Sequence, residues 1–247
     1  MKVATRHGFS RSLKTQEITL SCSVMHTLSN RDRRLHVDSM IERLGVANIQ
    51  HHWTDFEVFG DFHLRGCWWN AKRCWEYGLE TGATHHLLLQ DDVEVCRDFV
   101  TGVFDVIAAF PSEIISLFSF ARKGFAGSAA RWGEAEGPWG PAIVMEKSVI
   151  RDFLEWETTH IKPDCRHDDT RISLFCAARR QTVKVPFPNL VEHEQALKSI
   201  QGNAWNKPRV SIDFMGERSP HDFNWHDTSG LRRSVNSTSQ HKKFLLE

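Results

Sequence analysis

Leu87-Leu88-Leu89-Gln90-Asp91-Asp92 is the stretch that decides the fold. With His85-His86 before it, it is a short apolar run without polar alternation, as expected of a strand covered on both faces. It breaks abruptly into two adjacent acids. In open α/β sheets ligands bind beyond the carboxyl ends of the strands, and that is where Asp91 and Asp92 fall.

Reading outward and upstream, Trp68, Ala71, Trp75 and Leu79 mark the buried face of a helix that Gly82 ends. A long loop with Asp55, Gly60 and Gly66 precedes it, after a short strand over Ile49–Trp53. Arg31–Leu44 reads as a helix, with Val37, Met40, Ile41 and Leu44 at helical spacing and Gly45 as its stop. Ile18–Met25 is a β-rich stretch that runs into His26-Thr27. Downstream, Phe99, Val103, Val106, Ile107 and Phe110 form one side of a helix closed by Pro111. A strand over Ile114–Phe120 follows, then a Gly-, Ala- and Trp-rich segment, 121–140, that reads as a loop over a site.

Ala142–Met145 is a strand, and Val149, Ile150, Phe153 and Trp156 define another helix. Asp168–Arg180 is a helix with acids at its start and bases at its end, complementing its dipole. Thr182–Val185 and Leu190–Val191 are short strands, the second running into His193. Strands alternating with helices predict an α/β fold with a mixed, mainly parallel sheet and helices on both faces. We expect a basic arm over 1–17, one domain over 18–215, and a segment over 216–247. That segment docks in part through Phe223 and Trp225 and ends in a basic mobile tail.

An apolar share of 40% in 247 residues excludes a disordered chain and is enough for a substantial core. Lysines plus arginines equal aspartates plus glutamates at 31 each, but the charge is unevenly spread. Setting aside Lys2, Arg6, Arg11, Lys14, Arg232, Arg233, Lys242, Lys243 and Glu247 leaves 23 bases against 30 acids in 15–230. An acidic body with basic ends admits either a polyanionic partner or two solvated tails. Six cysteines without a CxxC pair point to free thiols in a reducing compartment. No apolar run is long enough to span a membrane, and Ile18–Met25 is no signal-peptide core. A cytoplasmic protein is expected.

Four segments are candidates to carry the chemistry. Asp91 and Asp92 at a rigid strand end suit Mg²⁺ or Mn²⁺, which take one or two carboxylates plus phosphate oxygens; an acidic turn is the plain alternative. His193 after another strand suits Mn²⁺ as a neutral imidazole, and equally suits a structural role. His167-Asp168-Asp169 opens a helix, where acids either cap it or include a catalytic base. Gly137-Pro138-Trp139-Gly140-Pro141 pairs a permissive backbone with a flat aromatic face.

The order of these elements along the chain resembles the GT-A class of nucleotide-sugar-dependent glycosyltransferases, over roughly residues 18–200. Within it, Leu87-Leu88-Leu89-Gln90-Asp91-Asp92, Trp139-Gly140-Pro141-Ala142-Ile143-Val144 and Pro188-Asn189-Leu190-Val191-Glu192-His193 look like the small transferases encoded by bacteriophages. The resemblance implies that Asp92 is the last acid of a DxD metal motif, with Gln90 in place of the first. It implies that Gly137–Gly140 is the acceptor loop, Asp169 the acid of the xED motif beside Asp168, and His193 the C-terminal metal histidine.

The implied activity is inverting transfer of a sugar from a nucleoside diphosphate, a UDP-sugar being the first donor to expect, with Mn²⁺ or Mg²⁺ at Asp92, Asp91 and His193. Asp169 would take the acceptor proton. His26, Thr27, Asp55, Arg73, Lys198 and Ser199 are candidate donor contacts. Trp132, Gly137, Trp139 and Gly140 are candidate acceptor contacts. The acceptor implied by the phage likeness is a hydroxymethylated pyrimidine such as 5-hydroxymethylcytosine in double-stranded DNA, with a tryptophan stacking on a flipped base and the basic ends on the backbone. Protein and polysaccharide acceptors stay open. So do a metal-dependent phosphoesterase or nuclease and a non-catalytic glycan- or nucleic-acid-binding module.

Overall fold

In a computed structural model, residues 17–27, 31–45, 53–61, 63, 65–120, 131–197, 209–233 and 242–246 are described. The elements are β1 (Leu20–His26), α1 (Arg31–Arg43), β2 (Asp55–Gly60), α2 (Cys67–Glu80), β3 (His85–Gln90), β4 (Val93–Val95), α3 (Phe99–Ala109), β5 (Ile115–Ser116) and β6 (Trp132–Ala135). They continue with β7 (Ala142–Glu146), α4 (Lys147–His160), α5 (Asp168–Arg179), β8 (Val183–Pro186), β9 (Val191–His193) and β10 (Arg232–Arg233). Among the described residues, eight strands form one sheet in the order β10-β6-β8-β5-β7-β3-β1-β2, and β4 pairs with β9 in a small second sheet. β1 is parallel to β2 and β3, β5 to β8, and β10 to β6; β7 runs antiparallel to both β3 and β5, and β6 to β8. The mainly parallel sheet expected from the sequence is present.

The period-2 geometry of a strand sorts the leucine run between two cores. Leu87 and Leu89, with Leu20, Cys22 and Val24 of β1, pack with Val37 and Met40 of α1 and Val103, Val106 and Ile107 of α3. Leu88 packs on the opposite face with Ala71 and Trp75 of α2, Ile150 and Phe153 of α4, and Ile172 and Phe175 of α5. His86 shares the Leu88 face, and its ring is held between Ser21 Oγ and Ser23 Oγ, both at 2.8 Å. Burial pushes this imidazole down to about 3, so it stays neutral. Neutral imidazole has one donor and one acceptor nitrogen, which the two hydroxyls satisfy.

α2 lies so close to that ring that a Cβ on Gly78 would stand 2.6 Å from His86 Cγ. With the ring fixed on both nitrogens, Gly78→Ala should destabilise the protein by about 1–3 kcal/mol, the usual cost of overpacking. A lowered denaturant midpoint with an unchanged slope would show it; an unchanged midpoint would refute the tight helix–sheet contact.

Several sequence expectations need correction. The strand placed over Ile49–Trp53 falls largely outside the described residues; the strand beside β1 is Asp55–Gly60, which the sequence reads as loop. Its alternation goes unnoticed because this edge strand is only half-buried. Ile114–Phe120 contains only the two-residue β5. Trp132–Ala135 is a buried strand inside the expected loop, its Glu134 paired with Lys184. Arg232 and Arg233, in the 216–247 segment, form β10 against β6. Trp225 is buried and donates from Nε1 to the Pro220 carbonyl. None of the six cysteines is in a disulfide. No helix among the described residues is long and apolar enough to cross a membrane.

Candidate active site

The carboxyl ends of β1, β2 and β3 lie side by side, His26 opposite Gly60 and Met25 opposite Gln90. Over them opens a cleft of about 390 Å³, lined in part by Thr27, Arg33, Asp61, Cys67, Gln90, Asp91, Asp92 and Arg209. That size is ordinary for a small-molecule site.

Asp91 is a fixed anchor. Its Oδ2 accepts from His26 Nδ1 at 2.9 Å and from the Thr27 backbone N–H at 2.7 Å, and its Oδ1 pairs with the Arg33 guanidinium. The second guanidinium nitrogen of Arg33 donates to Asp92 Oδ2 at 2.9 Å. Arg33 is 2% exposed and bridges both carboxylates, a bidentate fork to which this planar cation is suited.

β4 and β9 bring His193 to the acids. Val93 pairs with His193 in their antiparallel register, and the Glu194 N–H donates to the Asp92 carbonyl at 2.8 Å. As a result His193 Nδ1 lies 3.7 Å from Asp92 Oδ2, and the ring stands edge-on to Phe118. Two distant stretches of chain meet as the sequence suggests. Burial pushes His193 down to about 4 despite the opposing pull of Asp92, so its imidazole is neutral. Burial by itself would raise Asp92, but His193, Arg33 and Arg209 around it hold its carboxyl below the usual carboxylate range. Arg209 reaches Asp92 Oδ2 at 3.5 Å.

Among the described residues, the side chains do not fit a resident divalent ion. Both oxygens of Asp91 carry protein donors, and Oδ2 of Asp92 carries Arg33. Among the described residues no group of three or more His, Cys, Asp or Glu side chains is placed to hold a metal. Asp92 Oδ1 and His193 Nε2, both buried next to two guanidinium cations, have no partner among the described residues.

The other wall is built by α5 and the glycine loop. Gln90 lies on the same face of β3 as His86 and Leu88, so it turns toward α5. A Cβ on Gly140 would stand 2.7 Å from Gln90 Nε2 and 3.8 Å from Asp168 Oδ1, and one on Gly137 would collide with Ser173 of α5. The loop's glycines therefore serve close packing against β3 and α5.

Asp168 is buried, accepts from Cys67 Sγ at 3.0 Å on Oδ1, and leaves Oδ2 buried without a partner among the described residues. Burial, then the neighbouring Asp169 carboxylate, push it up to about 7. Burial and then Asp168 raise the Cys67 thiol, so it remains a donor. Asp169 Oδ1 turns back on its own helix and accepts from the Thr170 N–H at 2.6 Å. The resemblance gives the proton-accepting role to Asp169 beside Asp168; of the two, it is Asp168 that borders Gly140 and Cys67.

Asp55, Arg73 and Trp132 do not reach the cleft as expected. Asp55 pairs with Ser21 at the start of β2, the opposite end of the sheet from the cleft. Arg73 stacks on Phe59 and Trp69 and donates to the Gly60 carbonyl instead of lining the cleft. Trp132 is wholly buried, donating from Nε1 to the Trp225 carbonyl and packing edge-on to Phe110. Trp139 is partly buried against the core, its N–H donating to Ser116 Oγ. Lys198 and Ser199 lie outside the described residues. His26 and Thr27 do reach the site, as donors to Asp91.

The sequence did not single out Arg33, Arg209, Asp61 or Cys67. Asp61 accepts from the N–H groups of Arg65 and Gly66, both at 3.1 Å, and so shapes the turn that delivers Cys67 to the cleft. Arg33 had a visible signal, because Arg33, Val37, Met40 and Leu44 share one helical stripe.

No family model matches this chain, and no curated protein matches it. Among solved structures it is similar to the crystal structure of a glycosyltransferase involved in the glycosylation of the major capsid of PBCV-1, at 10% identity and a TM-score of 0.30, over 91% of this chain and 98% of that one.

Proposed function

We propose that this protein transfers a sugar from a nucleoside-diphosphate donor to an acceptor hydroxyl. One observation carries the reading: a cleft at the carboxyl ends of parallel strands is lined by Arg209, about one-fifth exposed, and by Cys67, whose thiol bonds the buried acid Asp168, pushed up to about 7. Glycosyl transfer needs both parts. Breaking the bond between the anomeric carbon and the diphosphate leaves negative charge that arginines stabilise. The attacking hydroxyl gives up a proton, and a base that titrates near the working pH accepts it most effectively.

In this scheme the acceptor oxygen attacks the anomeric carbon, the diphosphate departs with the bonding electrons, and the proton moves to Asp168 Oδ2. A single direct displacement inverts the anomeric configuration. Arg209 faces the departing phosphates, and Thr27, beside Asp91, lines the donor side. Asp169 acts by its charge on Asp168.

The GT-A likeness of the motifs supports the same reading, with a UDP-sugar as the first donor to test. A DNA acceptor draws little from the described residues: Trp132 is core, and most of the basic ends fall outside them. A two-metal phosphoesterase is disfavoured by the donor set, since its acids would have to share a metal pair and those here are held by arginines or lie apart on α5.

The test is to incubate the protein with a panel of nucleotide sugars and measure release of nucleoside diphosphate. Double-stranded DNA with or without 5-hydroxymethylcytosine, a polysaccharide and denatured protein serve as separate acceptors. A hexose mass on the modified base identifies the DNA acceptor; diphosphate release with label elsewhere identifies another. No release from any donor, in the presence or absence of Mn²⁺, rejects glycosyl transfer.

A further inference from the structure

Adjacent buried carboxylates need a cation, and here the chain supplies it. Arg33 sits between Asp91 and Asp92 with 2% of its surface exposed. His26 Nδ1 and the Thr27 N–H complete Asp91, and Arg209 stands 3.5 Å from Asp92. Two guanidiniums thus face two carboxylates. A divalent ion on Asp92 and His193 would share one carboxylate with both guanidiniums, away from water, where like charges repel strongly.

The acids also need Arg33 to stay charged. Burial works against that, but Asp92 and Asp91 more than restore it. Arg209, by contrast, lines the cleft and is about one-fifth exposed. A guanidinium has five donors, and the single described bond of Arg209's guanidinium, to Asp92, is long.

We infer that this site works without a divalent cation: Arg33 fills the place of the metal between Asp91 and Asp92, and Arg209 meets the phosphates of a nucleoside diphosphate. The part concerning Arg209 rests on the proposed glycosyl-transfer reading; the part concerning Arg33 does not. Arg33 is a positioning residue that fixes the acids and keeps a metal out, whereas Arg209 touches the ligand.

Two measurements on the full chain separate these parts. The first titrates Mn²⁺ into protein without nucleotide and follows the free-ion signal by electron paramagnetic resonance. Wild type should leave the signal undiminished. Arg33→Met should bind Mn²⁺ at least about tenfold tighter, because it exposes two carboxylates, and Arg33→Lys should behave as wild type. Stoichiometric Mn²⁺ binding by wild type overturns the inference, and that result needs no variant to fold.

The second measures UDP binding by calorimetry in EDTA and then in Mn²⁺. Equal affinity in the two, with a loss of at least about tenfold in Arg209→Ala, supports the inference. UDP binding that appears only with Mn²⁺ overturns it. If UDP and other nucleoside diphosphates bind in neither condition, the glycosyl-transfer reading falls, and the Mn²⁺ titration still decides what Arg33 does.

Discussion

Replacing Asp168 by Asn should lower the transfer rate by about 10²- to 10⁴-fold, the range that a positioned general base contributes. Asn keeps the size and the acceptor oxygen for Cys67 but cannot take a proton. Because burial and then Asp169 push the Asp168 carboxyl up to about 7, wild-type activity should rise with pH through that region and level off above it. The residual activity of Asp168→Asn should lack the inflection. In Asp169→Asn the inflection should move to lower pH, since one cause of the raised value is gone. Stability should move in the opposite sense to activity. A carboxyl raised from its unfolded value of about 3.8 binds more protons folded than unfolded between there and about 7. Its contribution is fully present below the unfolded value and is lost as the pH rises through the folded one. At pH 8, then, Asp168→Asn should melt above wild type while turning over far more slowly. A variant that lost activity and stability together would assign Asp168 a structural role instead.

The central sheet was legible in the sequence because its signals are local. An uninterrupted Leu87–Leu89 belongs to a strand with helices on both sides, and alternate leucines do feed the two cores. The approach of His193 to Asp92 was legible from the order of the motifs and depends on the β4–β9 register. Edge and charged strands were not legible. Asp55–Gly60 is only half-buried and has no strong apolar face, and Trp132–Ala135 hides a paired Glu134 behind a glycine. The cation of the site had a trace: Arg33 sits one turn before Val37 on the buried stripe of α1, a position where a charged side chain must find a partner. Cys67 has the same relation to Ala71 and Cys74 on α2. Arg209 had none, because no periodic pattern surrounds it. Which of two adjacent helix-start acids turns inward is likewise set by packing against α2 and β3, which spacing does not encode.

Asp91→Asn should cost about 3–5 kcal/mol of stability, the usual result of removing one partner from a buried ion pair. In a chain of this size that lowers the melting temperature by roughly 6–20 °C. The reason lies in the donors. His26 Nδ1, the Thr27 N–H and Arg33 all converge on Asp91, so an amide NH₂ placed there must confront one of them. Arg33 would then be left buried with Asp92 alone. Asp92→Asn should cost less, because Oδ1 of Asp92 is without a partner among the described residues and Arg33 would keep Asp91. Asp92 should show its weight in acid instead. Its carboxyl is held below the ordinary range, so the stability it contributes is present above the unfolded value of about 4 and is lost as the pH falls through the lower folded value. Thermal melts of the two variants at pH 7 therefore distinguish an anchor from a ligand-facing acid. A large drop for Asp91→Asn with a small one for Asp92→Asn is the expected pair. Equal, small drops would mean that Arg33 does not bridge the two carboxylates, and the self-supplied cation would have to be abandoned.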